Sequence, residues 1–220
     1  MFVKICGVTR VDDAAWAIQQ GATALGLNFC QASPRSMSYA QAAQLLQIVH
    51  GKIQTVGIFV RPSVADLLQG LSLDLDFFQL YEPDVHSLTN HIQGFKNKII
   101  LAAGIRAHQD LQNLNDQVAS WRSAGLPPSA VLVDAKLDGV HGGTGMTAPW
   151  DLIRSWSFDL PVILAGGLTP ENVSVAIRAT KPWGVDVASG VETAPGIKDP
   201  EKVRGFLRAS IQEFHIVHGR

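Results

Sequence analysis

Residues 161–190 read PVILAGGLTPENVSVAIRATKPWGVDVASG and hold two apolar, strand-like runs with a helix-like stretch between them. The runs are PVILAG at 161–166 and GVDVAS at 184–189, and each run leads into a turn that contains glycine. A strand, a helix and a second strand in this order predict two parallel strands joined by a crossover helix.

Two helix starts are marked in this half of the chain. Thr169, Pro170 and Glu171 predict an N-cap, a first helical position and an acidic first turn for the crossover helix. Asp199 and Pro200 predict the start of the last helix in the same way. Proline suits this position because the first N–H groups of a helix have no intrahelical partner.

The same alternation of apolar run and helix-like stretch extends over the whole chain. Several runs are almost continuously apolar, as expected of strands that are buried on both faces of a parallel sheet. Besides the two runs above, the strand candidates are FVKIC (2–6), ALGLNF (24–29), TVGIFV (55–60), FFQL (77–80), KIILA (98–102) and AVLVDA (130–135). Eight strand candidates that alternate with helices predict an α/β protein.

Two α/β architectures fit this pattern, a doubly wound open sheet and a closed barrel. The open sheet is typically marked by GxGxxG after its first strand, whereas residues 6–9 of this chain read CGVT. Glycine-containing turns instead follow the seventh and eighth strand candidates, where barrels commonly bind phosphate. We therefore predict a (β/α)8 TIM barrel that forms a single domain over residues 1–220.

The composition is that of a globular protein with nearly balanced charge. The 220 residues are 46% hydrophobic, and 18 basic and 19 acidic residues give a net charge of −1. No basic run stands out, so nucleic acid is not an expected partner. No apolar stretch reaches the ~18–20 residues that a membrane span needs. The N-terminal MFVKICGVTR lacks the charged lead and long apolar core of a signal peptide, so we expect a cytoplasmic protein.

The chain has two cysteines, Cys6 and Cys30. A disulfide between them is conceivable, but a chain of this size does not need one, and without an export signal we expect both thiols to be reduced. CxxC and HExxH motifs are absent and the seven histidines are scattered. No zinc site is therefore predicted.

A thiol and a carboxyl group occupy matching places on two distant strand candidates. Cys6 ends VKIC (3–6) and Asp134 ends VLVD (131–134). The carboxyl ends of parallel strands are where such folds bind ligands, so the two groups could act there as base and acid. Their ordinary pKa values, ~8.5 and ~3.9, would have to move toward 7 for this work. Taken singly, Cys6 could be a small buried apolar residue and Asp134 a helix cap or ion-pair partner.

The two late turns are candidates for binding phosphate. Gly166 and Gly167 follow the seventh strand candidate, and Ser189 and Gly190 follow the eighth. Glycine lets backbone N–H groups approach an anion closely, and a helix N-terminus adds favourable partial charge. Either pair alone could be only a tight turn between strand and helix. Together, after these two strands, they predict a phosphorylated small-molecule ligand.

Two further segments carry candidate ligand contacts. The loop after Asp134, residues 135–150, is rich in glycine and is typical of a lid or a ligand-contacting loop. Arg35 follows the second strand candidate within Ser33-Pro34-Arg35-Ser36. Its planar guanidinium suits a carboxylate or a phosphate, although the position also suits a surface arginine.

Beyond single residues, a set of motifs in fixed order covers nearly the whole chain. The motifs are KICGVTR (4–10), GLNF (26–29), SPR (33–35), VGIFV (56–60), VLVDA (131–135), HGGTGMTAPWDL (141–152), ILAGGLTPENV (163–173) and VDVASGVETAPGIKD (185–199). Individually GGTG or AGGL is weak, because other phosphate-binding barrels have similar turns. In this order the chain resembles the phosphoribosylanthranilate isomerases of tryptophan biosynthesis.

The resemblance implies an Amadori rearrangement of N-(5-phosphoribosyl)anthranilate, an aminoaldose, to the corresponding aminodeoxyketose without metal or cofactor. By the family's pattern, Asp134 is the general acid that protonates the ribose ring oxygen, and Cys6 is the general base that removes the C2 proton. Arg35 matches the arginine that contacts the anthranilate carboxylate. Asp186 would face the substrate hydroxyls. The phosphate grip corresponds to Gly166, Gly167, Ser189 and Gly190, and the family contains monomers and homodimers.

One departure from the family's pattern stands in the fourth strand. The family usually has QLHG there, whereas this chain has Gln79-Leu80-Tyr81-Glu82, so the histidine is replaced by Tyr81. This leaves open a shifted substrate preference on that side of the pocket. Two other functions remain as alternatives: an isomerase or lyase of a different phosphorylated sugar, and a non-catalytic barrel that binds a phosphorylated metabolite.

Overall fold

The computed structural model describes residues 1–88, 93–95, 97–135 and 150–219. Eight strands form one closed barrel in which every neighbouring pair is parallel and the last strand pairs with the first. The strands are β1 (Phe2–Cys6), β2 (Ala24–Asn28), β3 (Gln54–Val60), β4 (Phe77–Tyr81), β5 (Ile99–Gly104), β6 (Ala130–Asp134), β7 (Val162–Ala165) and β8 (Gly184–Val187). The predicted barrel is confirmed, and the open sheet is excluded because no edge remains between β8 and β1.

Helices occupy the connections between the strands. They are α1 (Val11–Gln19), α2 (Tyr39–Val49), α3 (Val64–Ser72), α4 (Val85–Leu88), α5 (His108–Ser123), α6 (Trp150–Arg154), α7 (Val173–Thr180) and α8 (Pro200–His218). A two-stranded hairpin, β9 (Glu192–Ala194) and β10 (Ile197–Lys198), is inserted after β8. Across the described part of the chain, none of these helices has the length and apolar character needed to cross a bilayer.

One of the two predicted helix starts is confirmed and the other is displaced. Asp199 caps α8 by accepting hydrogen bonds from the N–H groups of Glu201 and Lys202, with proline at the start of the helix as predicted. The start predicted for α7 is displaced by three residues, because residues 170–172 form a turn and α7 begins at Val173. The Thr169 hydroxyl nevertheless accepts a 3.3 Å hydrogen bond from the N–H of Glu171, as predicted for a cap. Asn172 cannot cap α7, since its side chain bonds the preceding loop.

Two apolar layers hold the barrel together. The outer layer packs the helices onto the strands and includes Val3 and Ile5 of β1, which point away from the barrel axis. The inner layer fills the barrel and consists of Phe2, Ala24, Val56, Ile100, Ala102, Ala130, Leu132, Ile163 and Ala165. Because side chains alternate along a strand, Lys4 and Cys6 share the inward face with Phe2. The interior therefore becomes polar toward the carboxyl end of β1.

Candidate active site

A cavity of about 530 Å³ opens at the carboxyl ends of the barrel strands. All the side chains and turns that the sequence singles out line this one cavity: Cys6, Arg35, Asp134, Gly166, Gly167, Asp186, Ser189 and Gly190. Their segments lie far apart in sequence and meet only because the sheet closes. The predicted loop 135–150 lies, from residue 136 to residue 149, outside the described residues.

Cys6 ends β1 and Asp134 ends β6, so β7 and β8 separate their strands around the barrel. Both side chains are partly exposed to the cavity. The closed barrel thus turns two strand ends that are 128 residues apart in sequence into facing walls of one pocket. A ligand seated between them would have the thiol on one wall and the carboxyl group on another.

The groups around Cys6 shift the pKa of its thiol in opposite directions. Burial raises the pKa of the Cys6 thiol, and the nearby Asp186 carboxylate raises it further. The ammonium groups of Lys4 and Lys198 lower it, but the net pKa stays above the ordinary value. The free protein therefore holds Cys6 mainly as the thiol at neutral pH, with two cations placed to stabilise the thiolate once it forms.

Lys4 and Asp186 form a buried ion pair at the base of this cavity. Their residues are register neighbours on β1 and β8, and Lys4 Nζ lies 2.9 Å from Asp186 Oδ1. The Lys4 side chain has no exposed surface. Burial by itself lowers the pKa of Lys4, but the charges of Asp186 and Cys6 outweigh it and the net pKa is raised. Lys4 is therefore a permanent cation beside the predicted base.

Arg35 reaches the cavity wall, but part of its guanidinium is already engaged. Nε and Nη2 bind the carboxylate of Glu192 on β9, with the Nη2–Oε2 distance at 2.6 Å. Lys198 on β10 binds the same carboxylate, with Nζ 2.7 Å from Oε1. Arg35 is thus not a free surface arginine, since the hairpin after β8 holds it at the pocket.

The two predicted phosphate turns pack directly against one another. Gly166 and Gly167 both have positive φ, at 91° and 62°, and the Asn172 side chain bridges the loop by donating to Gly167 O and accepting from Thr169 N. A Cβ atom on Gly190 would lie 1.9 Å from the carbonyl oxygen of Leu168. The turns after β7 and β8 therefore form one continuous surface that only glycine permits at this contact.

This contact predicts that Gly190→Ala is costly. We expect the variant to lose about 1–3 kcal/mol of stability, because the added methyl must push the two turns apart, and to bind inorganic phosphate more weakly. Gly104→Ala is the matched control, since a Cβ on Gly104 meets nothing within 4 Å. Urea unfolding and phosphate competition measure the two effects. Equal behaviour of the two variants would contradict the packing described here.

Tyr81, at the end of β4, lines the same cavity. Its hydroxyl accepts a 3.3 Å hydrogen bond from Nε2 of Gln79, which is almost fully buried. Burial raises the pKa of Tyr81 well above its ordinary value, and the charges of Asp134 and Asp186 add to this. The phenol therefore stays protonated, and its O–H is a hydrogen-bond donor on the cavity wall. It stands where the family usually has the imidazole of a histidine.

Sequence reasoning missed three charged residues that surround the predicted ones, Lys4, Glu192 and Lys198. The signal for Lys4 was available, because a residue two before Cys6 on a strand shares its face. Glu192 and Lys198 gave no comparable signal. Glu192 binds Arg35, which is 157 residues away in sequence, and Lys198 binds the carbonyl oxygen of Cys6, which is 192 residues away. Among the described residues, no group of three or more His, Cys, Asp or Glu side chains is arranged to hold a metal ion.

A closed (β/α)8 barrel with a thiol, carboxylates and a guanidinium around one cavity at its carboxyl end has the architecture of a TIM-barrel enzyme. Residues 3–209 match the family model described as N-(5'phosphoribosyl)anthranilate (PRA) isomerase. The N-(5'-phosphoribosyl)anthranilate isomerase of Pelobacter propionicus is 41% identical over 207 residues, which cover 94% of this chain and 93% of that protein. The chain therefore belongs to the phosphoribosylanthranilate isomerase family.

Solved structures agree with this assignment. The crystal structure of phosphoribosylanthranilate isomerase from Thermotoga maritima matches with a TM-score of 0.83 and 30% identity, covering 96% of this chain and 99% of that chain. A second structure of such an isomerase, in complex with reduced 1-(o-carboxyphenylamino)-1-deoxyribulose 5-phosphate, matches with a TM-score of 0.78 and 28% identity over the same shares. That protein binds a phosphorylated ligand that also carries an aromatic carboxylate.

Proposed function

We propose that this chain converts N-(5-phosphoribosyl)anthranilate to 1-(2-carboxyphenylamino)-1-deoxyribulose 5-phosphate, as a step of tryptophan biosynthesis. The observation that carries the proposal is the meeting of Cys6, Asp134, Arg35 and the two glycine turns around one cavity. The reaction needs a base, an acid, a cation for a carboxylate and an anchor for a phosphate. Each need corresponds to a different wall of this pocket.

In the proposed mechanism Asp134 gives its proton to the ribose ring oxygen, and the bond between that oxygen and C1 breaks. The nitrogen lone pair forms the C1=N bond of a protonated Schiff base. The thiolate of Cys6 then removes the proton from C2, and the electron pair moves through C1 to the nitrogen to give an enolamine. Tautomerisation places a proton on C1 and leaves a ketone at C2.

This sequence oxidises C2 and reduces C1 within one molecule, so no external oxidant or reductant takes part. We accordingly assign the chain to the aldose–ketose isomerases, a subclass of the intramolecular oxidoreductases. In the same proposal no metal or organic cofactor is required. The lysines beside Cys6 stabilise the thiolate, which lowers the cost of forming the base that removes the carbon-bound proton.

Substrate binding in this proposal uses the remaining walls of the cavity. Gly166, Gly167, Ser189 and Gly190 hold the phosphate through backbone N–H groups. Asp186 accepts hydrogen bonds from the ribose hydroxyls, and its ion pair with Lys4 fixes the position of its carboxylate. We further propose that the chain acts as a single barrel domain in the cytoplasm, as a monomer or a homodimer.

The direct test is turnover of freshly prepared N-(5-phosphoribosyl)anthranilate by the purified chain, followed by chromatography of substrate and product. We expect conversion to the aminodeoxyketose without added metal, in the presence of a chelator. A second candidate is an isomerase of a different phosphorylated aminosugar, which the donor hydroxyl of Tyr81 in place of histidine would favour. A folded protein that does not convert the anthranilate compound, yet isomerises another phosphorylated aminoaldose, would replace the first proposal with the second.

A further inference from the structure

The guanidinium of Arg35 is held in a fixed orientation before any ligand arrives. Nε lies 2.9 Å from Oε1 and 3.1 Å from Oε2 of Glu192, and Nη2 lies 2.6 Å from Oε2. This paired geometry fixes the plane of the fork as well as its position. Within the described residues no acceptor is recorded for the remaining nitrogen, Nη1. The fork therefore has one unengaged edge at the cavity wall.

The Glu192 carboxylate that orients Arg35 is itself buried, and Lys198 and the backbone of Gly196 hold it in place. The Glu192 side chain is 4% exposed and that of Lys198 is 2% exposed. Glu192 Oε1 accepts from Lys198 Nζ at 2.7 Å and from the backbone N–H of Gly196 at 3.2 Å. Burial alone raises the pKa of Glu192, but the hydrogen bonds from Arg35 and Lys198 outweigh it, so the net pKa is lowered and Glu192 stays ionised.

The charges of this cluster sum to one surplus positive charge. Arg35 and Lys198 are cations, and they share the carboxylate of Glu192. Burial lowers the pKa of Lys198, and its hydrogen bond to Glu192 opposes this shift. An arginine paired with one glutamate would be neutral as a pair and would attract a carboxylate poorly. Because Lys198 shares the anion, a net positive charge remains and Arg35 presents it at the cavity.

The cluster is also tied to the backbone that carries the predicted base. Lys198 Nζ donates to the carbonyl oxygen of Cys6 at 2.5 Å and to that of Ala188 at 3.4 Å. The stem of Arg35 lies against Gly7, whose φ is +68° and where a Cβ would come within 2.5 Å of Arg35 Cδ. The position of Arg35 is thus set relative to the ends of β1 and β8, which carry Cys6 and Asp186.

We infer that Glu192, held by Lys198, is a positioning residue that directs the free edge of Arg35 at the carboxylate of the aromatic amine and so selects carboxylated substrates. The inference rests on the proposed function, because it takes Arg35 as the residue that meets this carboxylate. It assigns a role to the hairpin β9–β10, in which Glu192 on β9 binds Arg35 and Lys198 on β10 binds Glu192. Glu192 does not touch the substrate in this arrangement.

If Glu192 orients Arg35, Glu192→Gln should raise KM. If Glu192 only offsets positive charge, the same substitution should lower KM. The substitution removes the anion and raises the charge of the cluster from +1 to +2, given the charges of Arg35, Glu192 and Lys198. Attraction alone would then tighten binding of an anionic substrate. Loss of the paired hydrogen bonds lets the fork rotate away from the cavity, which weakens binding despite the added charge. The sign of the change in KM therefore separates the two roles.

The experiment compares Glu192→Gln with the unchanged chain on two substrates, phosphoribosylanthranilate and the phosphoribosyl amine made from aniline, which lacks the carboxylate. We expect KM for the anthranilate compound to rise about 10- to 100-fold, a size typical of losing a residue that positions a binding group. We expect kcat to change much less, and KM for the aniline compound to stay constant. Glu201→Gln is the matched control, because Glu201 pairs with Arg204 on the exposed side of α8.

An unchanged or lowered KM for the anthranilate compound, or an equal rise for both substrates, would overturn the inference. Absence of turnover by the unchanged chain would instead overturn the proposed function, so the two failures are distinct. Circular dichroism and inhibition by inorganic phosphate report whether the variant is folded. If Glu192→Gln does not fold, Glu192→Asp carries the same test, since it keeps the charge but withdraws the carboxylate by one methylene group.

Discussion

Cys6→Ser is expected to lower kcat by about 10²–10⁴-fold, the contribution typical of a general base, while KM changes little. A serine hydroxyl fits the place of the thiol but does not ionise near neutral pH, so it cannot take the proton from C2. Steady-state kinetics with phosphoribosylanthranilate measure the loss. The unfolding midpoint should stay close to that of the unchanged chain, because the substitution replaces one atom at the cavity wall.

Cys30→Ser is the matched control for this substitution. Cys30 lines the same cavity as Cys6, is also a free thiol, and has no part in the proposed proton transfers. Its replacement should leave kcat within a few-fold of the original value. Near-normal turnover by Cys6→Ser, or equal losses in the two variants, would remove Cys6 from the role of base.

The pH profile adds a signature that a structural role for Cys6 would not give. Burial and the Asp186 carboxylate hold the pKa of Cys6 above its ordinary value, so only a minor fraction is thiolate at neutral pH. That fraction grows as pH increases, so kcat/KM should rise with pH as long as Asp134 still holds the proton that it donates. In Cys6→Ser this ascending limb should be lost, because no group at the position ionises there.

The fold was predictable because every strand carries its own signal. Each of the eight apolar runs became a strand with ends shifted by no more than two residues, as Ile99–Gly104 shows against the predicted 98–102. Closure was predicted from the glycine turns after β7 and β8, since periodicity alone does not separate a barrel from an open sheet. The start of α7 was missed because Asn172 bonds backward to its own loop, a tertiary detail that capping patterns do not contain.

The site was predictable only where the type of a residue and its place at a strand end or turn indicate its function. Cys6 and Asp134 stand at strand ends, and glycine pairs mark the two turns. The buried pairs that control them depend on neighbours that only the closed sheet creates, such as Lys4 of β1 beside Asp186 of β8. Glu192 belongs to a hairpin with no counterpart in the regular alternation of strands and helices. The role proposed for Glu192 depends on its contact with Arg35, which lies 157 residues away in sequence.

Asp134→Asn is expected to lower kcat by about 10²–10⁴-fold as well, because an amide cannot deliver a proton to the ribose ring oxygen and the ring stays closed. The amide is nearly isosteric with the carboxyl group, so the fold and the phosphate grip should persist, and inhibition by inorganic phosphate checks this directly. Kinetics with phosphoribosylanthranilate measure the loss. Asp159→Asn, on an exposed carboxylate far from the pocket, is the surface control.

Asp134→Glu separates an acid from a group that only shapes the pocket. The longer side chain keeps a transferable proton, so part of the lost turnover should return, whereas a purely steric role would make the larger glutamate worse than asparagine. Tyr81 sharpens this comparison, since its protonated phenol lies in the electrostatic field of Asp134 and is itself a donor. If Asp134→Asn stayed within tenfold of the original kcat and lost this activity on a further Tyr81→Phe change, the proton would come from the phenol, and the assignment of Asp134 would fall.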